Sequence, residues 1–374
     1  MMCSMNAATE FRGLDDWELV CRFLPLGWEQ AARQQGALRR KRGIRDAATL
    51  LRVLLVHLAD GCSLKETALR ARQAGWCRIS SVAVFKRLRD AEQWLRWMAE
   101  RLWRQRSPPL SSQAYRVRAV DATTVQEPGA TGTDWRVHYV IDLANLQCDH
   151  FELTDVKGGE TFRRIPAARG DLMLGDRAYG TPSGVAHVIS TRADVLVRIA
   201  LHMMPLYDKS GRKLSALRRV RGLAVGAVRE CPAWVHSGRQ RIAGRLIAVK
   251  RGRQAAELAR KRLRRKAKRK QRTLSDRALA AAGYVFVWTT VPGERLSAQD
   301  VLELYRVRWQ IELAFKRMKS IMGLGHLPKW SDGSARAWIH GKLLTALLIE
   351  RLLDEAEAFS PWGYRVVAAS QSLA

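Results

Sequence analysis

The segment between Tyr115 and Ala200 restricts the fold most, because strand-like patterns follow one another there at short intervals. In its first part, β-branched and apolar residues alternate with polar ones, as they do in half-buried strands. The predicted strands are Tyr115–Asp121, Trp135–Leu143, His150–Val156, Leu172–Gly175 and Ala193–Ala200. Three antiparallel strands followed by strand–helix alternation predict an α/β fold, in which helices flank a mixed sheet.

Changes of pattern on either side of this segment predict four regions. Residues 1–110 carry apolar side chains at spacings of three and four, which indicates a helical domain that we interpret as DNA-binding. Residues 107–112, rich in Ser and Pro, are typical of a linker. The sheet domain is predicted to comprise 115–200 and 284–350, with 201–283 as a β-rich basic insertion and 351–374 as a C-terminal tail.

Part of the N-terminal region has the element order of a helix-turn-helix. We predict helices over Ser63–Arg72 and Ser80–Leu95, joined through Gly75. Ser63 and Glu66 have the spacing of a capping box at the start of the first helix. An ordinary helical bundle with a solvated basic face explains the same pattern equally well. Both interpretations therefore stay open at this point.

The balance of charge indicates the class of partner. The chain has 65 Lys and Arg against 35 Asp and Glu, a formal net charge of +30, while its hydrophobic content of 47% is that of a folded protein. Such an excess favours a polyanionic partner, and nucleic acid is the first expectation, with an anionic membrane surface as the alternative.

The charge is densest in Lys250–Arg272, which holds 13 Lys or Arg and a single acid, Glu257. We predict a helix that lies along the phosphate backbone of DNA. A flexible loop that binds any polyanion is the alternative. The cations predicted to make these contacts are Lys261, Arg264, Arg265 and Lys268.

Other patterns exclude several classes of protein. No window of 18 uninterrupted apolar residues is present, and acids interrupt the opening segment, so we expect neither a membrane-spanning helix nor a secretory leader. The six cysteines are scattered without zinc-site spacing, so we expect reduced thiols in a cytoplasmic protein. The chain lacks a Gly-x-x-x-x-Gly-Lys phosphate loop, and we expect no nucleotide cofactor.

Two aspartates are placed where α/β sheets form their sites. Asp121 and Asp176 are each predicted to end an apolar strand, and sites in open α/β sheets form beyond the carboxyl ends of strands. Carboxylates that converge there need a counter-charge, and Mg²⁺ or Mn²⁺ with oxygen ligands would supply it. For each residue taken alone, a role in capping a turn or helix is the alternative.

A long helix predicted from about Ser297 through Ser320 carries a polar stripe. At about 100° per residue, four side chains fall within about 60° of one another. They are Tyr305, Arg308, Glu312 and Lys319. One acid, two cations and a phenol suit a metal-bound phosphate chain. The alternative is a solvated face on which Glu312 pairs with Arg308 or Lys316.

These residues resemble the signature of DDE transposases of the bacterial insertion-sequence four family. The spacing Tyr305-x₂-Arg308-x₃-Glu312-x₆-Lys319 is similar to the motif on that family's catalytic helix. Asp121-Ala122-Thr123-Thr124 and Asp176-Arg177-Ala178-Tyr179 resemble its two Asp blocks. The resemblance implies an RNase H-like core that binds two Mg²⁺ (or Mn²⁺) ions on Asp121, Asp176 and Glu312.

The resemblance also implies a DNA transposase that cuts the ends of its element and joins them to target DNA. Its partner would be double-stranded DNA, on which two copies assemble as a homodimer, and it would be cytoplasmic and nucleoid-associated. Besides the signature residues, Lys316 is an expected DNA contact. If a hairpin forms, an extruded base needs an aromatic platform, for which Tyr284 and Trp288 are candidates. A buried aromatic in a strand is the alternative for each.

Two other functions remain open from sequence. One is a Mg²⁺-dependent nuclease on the same core that cuts DNA without joining it. The other is a non-catalytic DNA-binding protein that acts through its basic surface. Loss of Asp121 separates the second from any enzyme, since a simple binder is indifferent to that carboxylate.

Overall fold

The structure is a computed structural model that describes residues 16–39, 43–104, 115–127, 129, 134–325, 327–328 and 331–358. The predicted linker, Cys3 and most of the predicted C-terminal tail lie outside these residues. The N-terminal part is helical, as predicted. Its helices are α1 (Asp16–Phe23), α2 (Trp28–Gln34), α3 (Ala47–Leu58), α4 (Leu64–Gln73), α5 (Ser81–Asp90) and α6 (Glu92–Arg104).

Local capping starts several of these helices. The side chain of Asp46 accepts a hydrogen bond from the backbone N–H of Thr49 at 2.6 Å at the start of α3. Ser63 and Ser80 cap α4 and α5 in the same way. The predicted second helix of the helix-turn-helix is wrong in length, because the chain bends at Ala91 and α6 starts anew. The bend directs Trp94 into the core, where its indole N–H donates to the carbonyl of Trp28.

An eight-stranded mixed sheet forms the centre of the fold, in the order β3-β2-β1-β4-β5-β10-β9-β6. Its strands are β1 (Arg116–Val125), β2 (Trp135–Asp142), β3 (Gln147–Asp155), β4 (Asp171–Gly175), β5 (Asp194–Arg198), β6 (Val228–Pro232), β9 (Arg245–Lys250) and β10 (Tyr284–Thr289). Strand β4 runs parallel to β1 and β5, and the other pairs are antiparallel. This is the predicted mixed α/β architecture.

The segment between β5 and β10 adds strands to the same sheet. β9 pairs with β10 and β6 pairs with β9, so the sheet continues into the segment predicted as an insertion. A small hairpin of β7 (Val235–Ser237) and β8 (Gln240–Ile242) stands apart from it. The remaining helices are α7 (Pro182–Ser190), α8 (Ala216–Arg219), α9 (Arg253–Arg269), α10 (Asp276–Ala281), α11 (Ala298–Val307), α12 (Gln310–Ser320) and α13 (Asp332–Ala358). A 3₁₀ turn covers Phe162–Arg164.

Two cores cover the two faces of the sheet. One face packs Leu172 and Leu174 together with the N-terminal helices and with α11 to α13. The other packs Met173 and Val195 with α7 and the segment that follows β5. Because α13 packs against α6, α5 and α3, the N-terminal helices share a core with the sheet. Alternate strand positions therefore face different cores, as period-two patterning requires.

One charged side chain departs from the expected outward alternation. Arg118 on β1 is 4% exposed and its guanidinium lies 2.8 Å from the carboxylate of Asp171 on β4. It also donates to Asp149 on β3 and to the carbonyl of Pro166. A buried cation needs such a full set of partners, and the set ties three strands together.

The described cysteines and helices bear on the expectations of reduced thiols and of no membrane-spanning helix. Of the described cysteines, Cys62, Cys77 and Cys231 are free thiols, as predicted for these three. Across the described ranges, every helix is too short or too polar to cross a bilayer.

Close packing of α13 against α3 gives a stability prediction. A Cβ built on Gly341 would lie 2.5 Å from Cδ1 of Leu58, which is itself 0% exposed. We expect Gly341→Leu to lower the free energy of unfolding by about 1–3 kcal/mol, because an overpacked core must shift. Denaturant titration of the purified variant measures this. Gly159→Leu, at a position with open space around its Cβ, is the control, and equal loss in both variants would contradict the packing account.

Candidate active site

The sheet brings Asp121 and Asp176 to the same level. Strands β1 and β4 are parallel, and Val120 pairs with Gly175 in their register. Each aspartate is the next residue along its strand, and neighbouring strands lie about 4.8 Å apart. A side chain at Gly175 would collide with Phe162 and Tyr179, each 2.7 Å from its Cβ position, so the close approach of these rings requires glycine.

The strand end predicted at Asp121 is wrong. β1 continues to Val125, because β2 pairs with it antiparallel over Arg118–Val125. The strand that ends at this level is β4, where Asp176 turns the chain by accepting a hydrogen bond from the backbone N–H of Ala178 at 2.7 Å. The site therefore forms where β4 stops beside a longer β1.

The long helix predicted from Ser297 is also wrong, since it is two helices. α11 begins with a capping box formed by Ser297 and Asp300 and ends at Val307, and α12 begins at Gln310. The break lets α12 turn its apolar side towards β1 and β2, with Phe315 packed 5.8 Å from the ring of Tyr139. Angles counted along one continuous helix therefore do not describe the signature residues.

The break places Arg308 between two of the predicted acids. Its Nη1 lies 3.3 Å from Oδ2 of Asp121, and its Nη2 lies 2.5 Å from Oε1 of Glu312. The Arg308 side chain is 12% exposed, whereas that of Glu312 is 60% exposed. The guanidinium also lies 5.7 Å from the centre of the Tyr305 ring. Arg308 therefore links Tyr305, Asp121 and Glu312 into one cluster. The ion pair between Glu312 and Arg308, which was the alternative interpretation of the polar stripe, is present in the structure.

Burial and neighbouring charge set the electrostatics of this cluster. The pKa of Asp121 is raised from 3.8 to about 6, chiefly by burial, and the nearby Asp176 and Glu160 contribute to this rise. The N–H of Ala122 and the Arg308 guanidinium act in the opposite direction. The charge of Asp176 disfavours the charged form of Asp121, and a cation between the two carboxylates would relieve this repulsion.

Two neighbours of the aspartates were missed by sequence reasoning. Glu160 lies in a loop; burial raises its pKa, as does Asp176, while Arg136 lowers it. The Tyr179 hydroxyl is fully buried, has no hydrogen-bond partner among the described residues, and has its pKa raised by burial and by the surrounding acids. No sequence pattern marks Glu160. Tyr179 belongs to the block that follows Asp176, and its place in that block could have identified it as a neighbour of the site.

The donor set is compatible with a hard divalent cation. Asp121, Asp176 and Glu312 supply the oxygen ligands that Mg²⁺ and Mn²⁺ prefer. Within the described ranges, no three Asp, Glu, His or Cys side chains already surround a common metal position. Glu312 is held at the site through Arg308, and its exposure leaves it free to change rotamer without disturbing the core. We conclude that the residues fit such an ion once Glu312 turns from Arg308.

The signature residue Lys319 and the additional expected DNA contact Lys316 lie along α12. Lys316 is exposed, and Lys319 is half-buried with its pKa lowered by burial. Neither forms an ion pair with the described acids. Tyr305 is half-buried, and burial raises the pKa of its hydroxyl. The structure therefore brings Tyr305, Arg308 and the acids together, and leaves the two lysines further along the helix.

The aromatic platform predicted at Trp288 is wrong. Trp288 is 0% exposed, and its indole N–H donates to the carbonyl of Ala233 at 3.0 Å. Tyr284 is half-buried, with its ring 5.8 Å from that of Phe286. The buried-aromatic alternative therefore holds for Trp288. An aromatic that is accessible beside the acids is Trp309, which is 50% exposed in the break after Arg308.

The basic run forms helix α9, as predicted. Lys261, Arg264, Arg265 and Lys268 are exposed on it. Glu257 is paired with Arg260 at 3.2 Å and with Arg264 at 3.3 Å. One acid cannot neutralise the helix, so its outer surface keeps a strong positive potential.

Comparisons with known proteins show the family to which this chain is similar. The sequence profile of the family described as "Transposase DDE domain" matches residues 112–348. The chain is 33% identical over 356 residues to the putative transposase InsL for insertion sequence element IS186A of Escherichia coli (strain K12), covering 93% of this chain and 96% of that protein. It is also 33% identical over 357 residues to the transposase for insertion sequence element IS421 of Escherichia coli, with the same coverage. A more distant relative is the transposase for insertion sequence element IS231F of Bacillus thuringiensis subsp. israelensis, 24% identical over 273 residues, 65% of this chain and 57% of that protein.

Proposed function

This chain belongs to the DDE-domain family of transposases, and on that premise we propose that Asp121, Asp176 and Glu312 are the three carboxylates of its catalytic centre. It is a DNA transposase, and its family catalyses metal-dependent transfer of DNA strands. The observation that supports the assignment is the bridge of Arg308 between Asp121 and Glu312, beside an Asp176 at the same sheet level as Asp121.

Asp121, Asp176 and Glu312 would hold two Mg²⁺ or Mn²⁺ ions. When bound, such cations lower the pKa of an attacking hydroxyl and stabilise charge on the leaving oxygen. The chain's own contribution is to hold its carboxylates on a rigid strand pair and on a packed helix. Arg308 keeps Glu312 near Asp121 and presents a guanidinium that can hold a phosphate oxygen once Glu312 turns away.

Cleavage and joining would use the same centre. In cleavage, the oxygen of a water molecule forms a bond to phosphorus, and the terminal strand leaves with a free 3′-OH. In joining, that 3′ oxygen bonds to a phosphorus of target DNA, and the target's own 3′ oxygen leaves and takes up a proton. Both are displacements at phosphorus that need no covalent enzyme intermediate and no ATP. A hairpin is one route for cutting the second strand.

The DNA would extend from this centre over the basic surfaces. Lys316 and Lys319 on α12, and Lys261, Arg264, Arg265 and Lys268 on α9, are the proposed phosphate contacts. The N-terminal region 1–110 would read the element ends, 115–200 with 284–350 would carry the chemistry, and 201–283 would add backbone contacts. Two copies would pair on DNA, because two ends are joined together. The protein would act at the nucleoid in the cytoplasm.

The test of this function uses the DNA that borders the chain's own coding sequence. We expect Mg²⁺-dependent release of 3′-OH ends and their covalent joining to a target plasmid, both seen on sequencing gels. Cleavage without joining would favour the nuclease. DNA retention without either reaction would favour the non-catalytic binder.

The exposed cations of α9 give a prediction on salt dependence. Each neutralised phosphate contributes about −0.9 to the slope of log affinity against log salt concentration. We expect the triple variant Lys261→Gln, Arg265→Gln and Lys268→Gln to make that slope shallower by about 2 to 3. Fluorescence anisotropy over a salt series measures it. An unchanged slope would show that this face of α9 does not contact phosphates.

A further inference from the structure

A cavity of about 770 Å³ lies between helices α9 and α10 and the ends of β5 and β10. Its lining contains seven Lys or Arg side chains and, within the described part of the chain, no Asp or Glu. Four of these cations carry the inference, namely Arg177, Arg198, Arg251 and Arg262. A concave site with charge of one sign concentrates the opposite charge from solution.

Arg198 and Arg251 are partly buried in this cavity, whereas Arg177 and Arg262 are exposed. Nε of Arg251 donates to the carbonyl of Tyr284 at 3.4 Å. Nε of Arg198 is buried without a hydrogen-bond partner, and none of the four arginines forms an ion pair with a described acid. Burial, Arg198 and Arg262 lower the pKa of Arg251. Such uncompensated charge costs folding free energy, which a bound anion would offset.

The other walls of the cavity are apolar. Ile199 directly follows β5, Phe286 lies on β10, and Leu263 and the half-exposed Leu258 line the cavity from α9. Arg262 follows Leu258 by four residues, so one face of α9 carries both an apolar side chain and a cation towards the cavity. This face is distinct from the outer one that bears Lys261 and Lys268. A ligand with an anionic part and an apolar part therefore fits best.

The cavity adjoins the candidate active site. Arg177, which lines the cavity, directly follows Asp176 in the chain. Arg198 in turn lowers the pKa of Tyr305, on whose ring Arg308 lies. A chain of polar groups thus leads from the acids to the cavity. A polymer held at the acids would reach the cavity with its next units.

We propose that this cavity binds a backbone phosphate and the attached deoxyribose of the DNA strand whose scissile phosphodiester lies at Asp121 and Asp176. The arginines Arg177, Arg198, Arg251 and Arg262 hold the phosphate oxygens, and Ile199, Leu258, Leu263 and Phe286 contact the sugar. The volume is in the range of about 300–1,000 Å³ that accepts one small ligand, so a single nucleotide unit enters it and a duplex does not. This inference rests on the proposed function.

The test asks whether the loss of one DNA phosphate and the loss of one cavity arginine affect the same contact. Binding is measured without divalent ions, so that no cleavage occurs, on duplexes from the DNA that borders the coding sequence. Each duplex replaces one phosphate near the expected cleavage position with an uncharged methylphosphonate. The proteins are the unmodified chain, Arg198→Gln, Arg251→Gln, and the control Arg239→Gln, which removes an exposed cation in the turn between β7 and β8.

We expect one methylphosphonate position to weaken binding of the unmodified chain and of Arg239→Gln by about tenfold, the value of a charge-assisted hydrogen bond. A methylphosphonate at the same position should weaken DNA binding by Arg198→Gln and by Arg251→Gln by less than about twofold. The proposal is overturned if no position is sensitive, or if both cavity variants keep the full penalty. It is also overturned if the cavity binds free dAMP while no methylphosphonate matters. Because these are binding measurements, their failure is distinct from loss of cleavage in the acid variants.

Discussion

Asp121→Asn, Asp176→Asn and Glu312→Gln are each expected to lower strand cleavage by about a thousandfold or more, while retention of DNA stays largely intact. Each change keeps the shape of the side chain and removes the charged oxygen donor on which a hard cation depends. Cleavage of end-labelled DNA and gel retardation on the same preparations measure the two properties. Full cleavage in any one of the three variants would remove that residue from the assignment.

We expect Asp121→Asn to lose activity without losing stability at neutral pH. The pKa of Asp121 is raised in the folded chain, from 3.8 to about 6, so the folded state binds this proton more tightly than the unfolded state. Its stabilising contribution is therefore present below about pH 4 and is lost as pH rises through about 6. At neutral pH we expect Asp121→Asn to melt at the same temperature as the unmodified chain or higher. A clearly lower melting temperature would contradict this cause of the shift.

Arg308→Ala is expected to lower cleavage by about a hundredfold, less than loss of a carboxylate. It removes the cation that lies between Asp121 and Glu312 and leaves both acids without this partner. It also removes a fork of donors that can hold a phosphate oxygen, a loss comparable to that of a charge-stabilising donor in other enzymes. Arg308→Lys should recover part of the activity, since an ammonium keeps the charge but cannot bridge two carboxylates in a planar fork.

The control for Arg308 is Arg306→Ala, which removes an exposed cation on α11 two residues earlier. We expect it to keep nearly normal cleavage. Rates are compared at limiting and at saturating Mn²⁺, since a residue that positions Glu312 affects the metal dependence as well as the rate. If Arg308→Ala and Arg306→Ala behave alike at both concentrations, the bridge has no role in the reaction.

The sequence predicted those parts of the fold that local patterns determine. Alternation predicted the strands around Trp135 and Phe151, and cap residues such as Ser63 and Ser80 marked true helix starts. The two Asp blocks and the signature helix were found because they resemble a family's motifs. Their meeting follows from the parallel pairing of β1 with β4, which brings two segments more than fifty residues apart in the sequence to the same level.

The errors arose where tertiary contacts override local pattern. The polar residues after Val120 indicated a strand end, but pairing with β2 continues the strand to Val125. The apolar periodicity continues through Arg308, but Arg308 and Trp309 separate α11 from α12, whose Phe315 packs against Tyr139 on the sheet. For Trp288, a platform for a base and a buried aromatic were both possible interpretations. An aromatic residue in a strand gives the same sequence pattern whether that face of the sheet is covered or exposed. The cationic cavity depends on residues from five separate segments, which no local pattern connects.

The most direct test of the central claim is to locate Mn²⁺ by its anomalous X-ray scattering in crystals of the chain bound to DNA. The account predicts Mn²⁺ in contact with carboxylate oxygens of Asp121 and Asp176, with Glu312 turned from Arg308 to join them. Mn²⁺ found elsewhere, with Glu312 still paired to Arg308 and the two aspartates without metal, would contradict it.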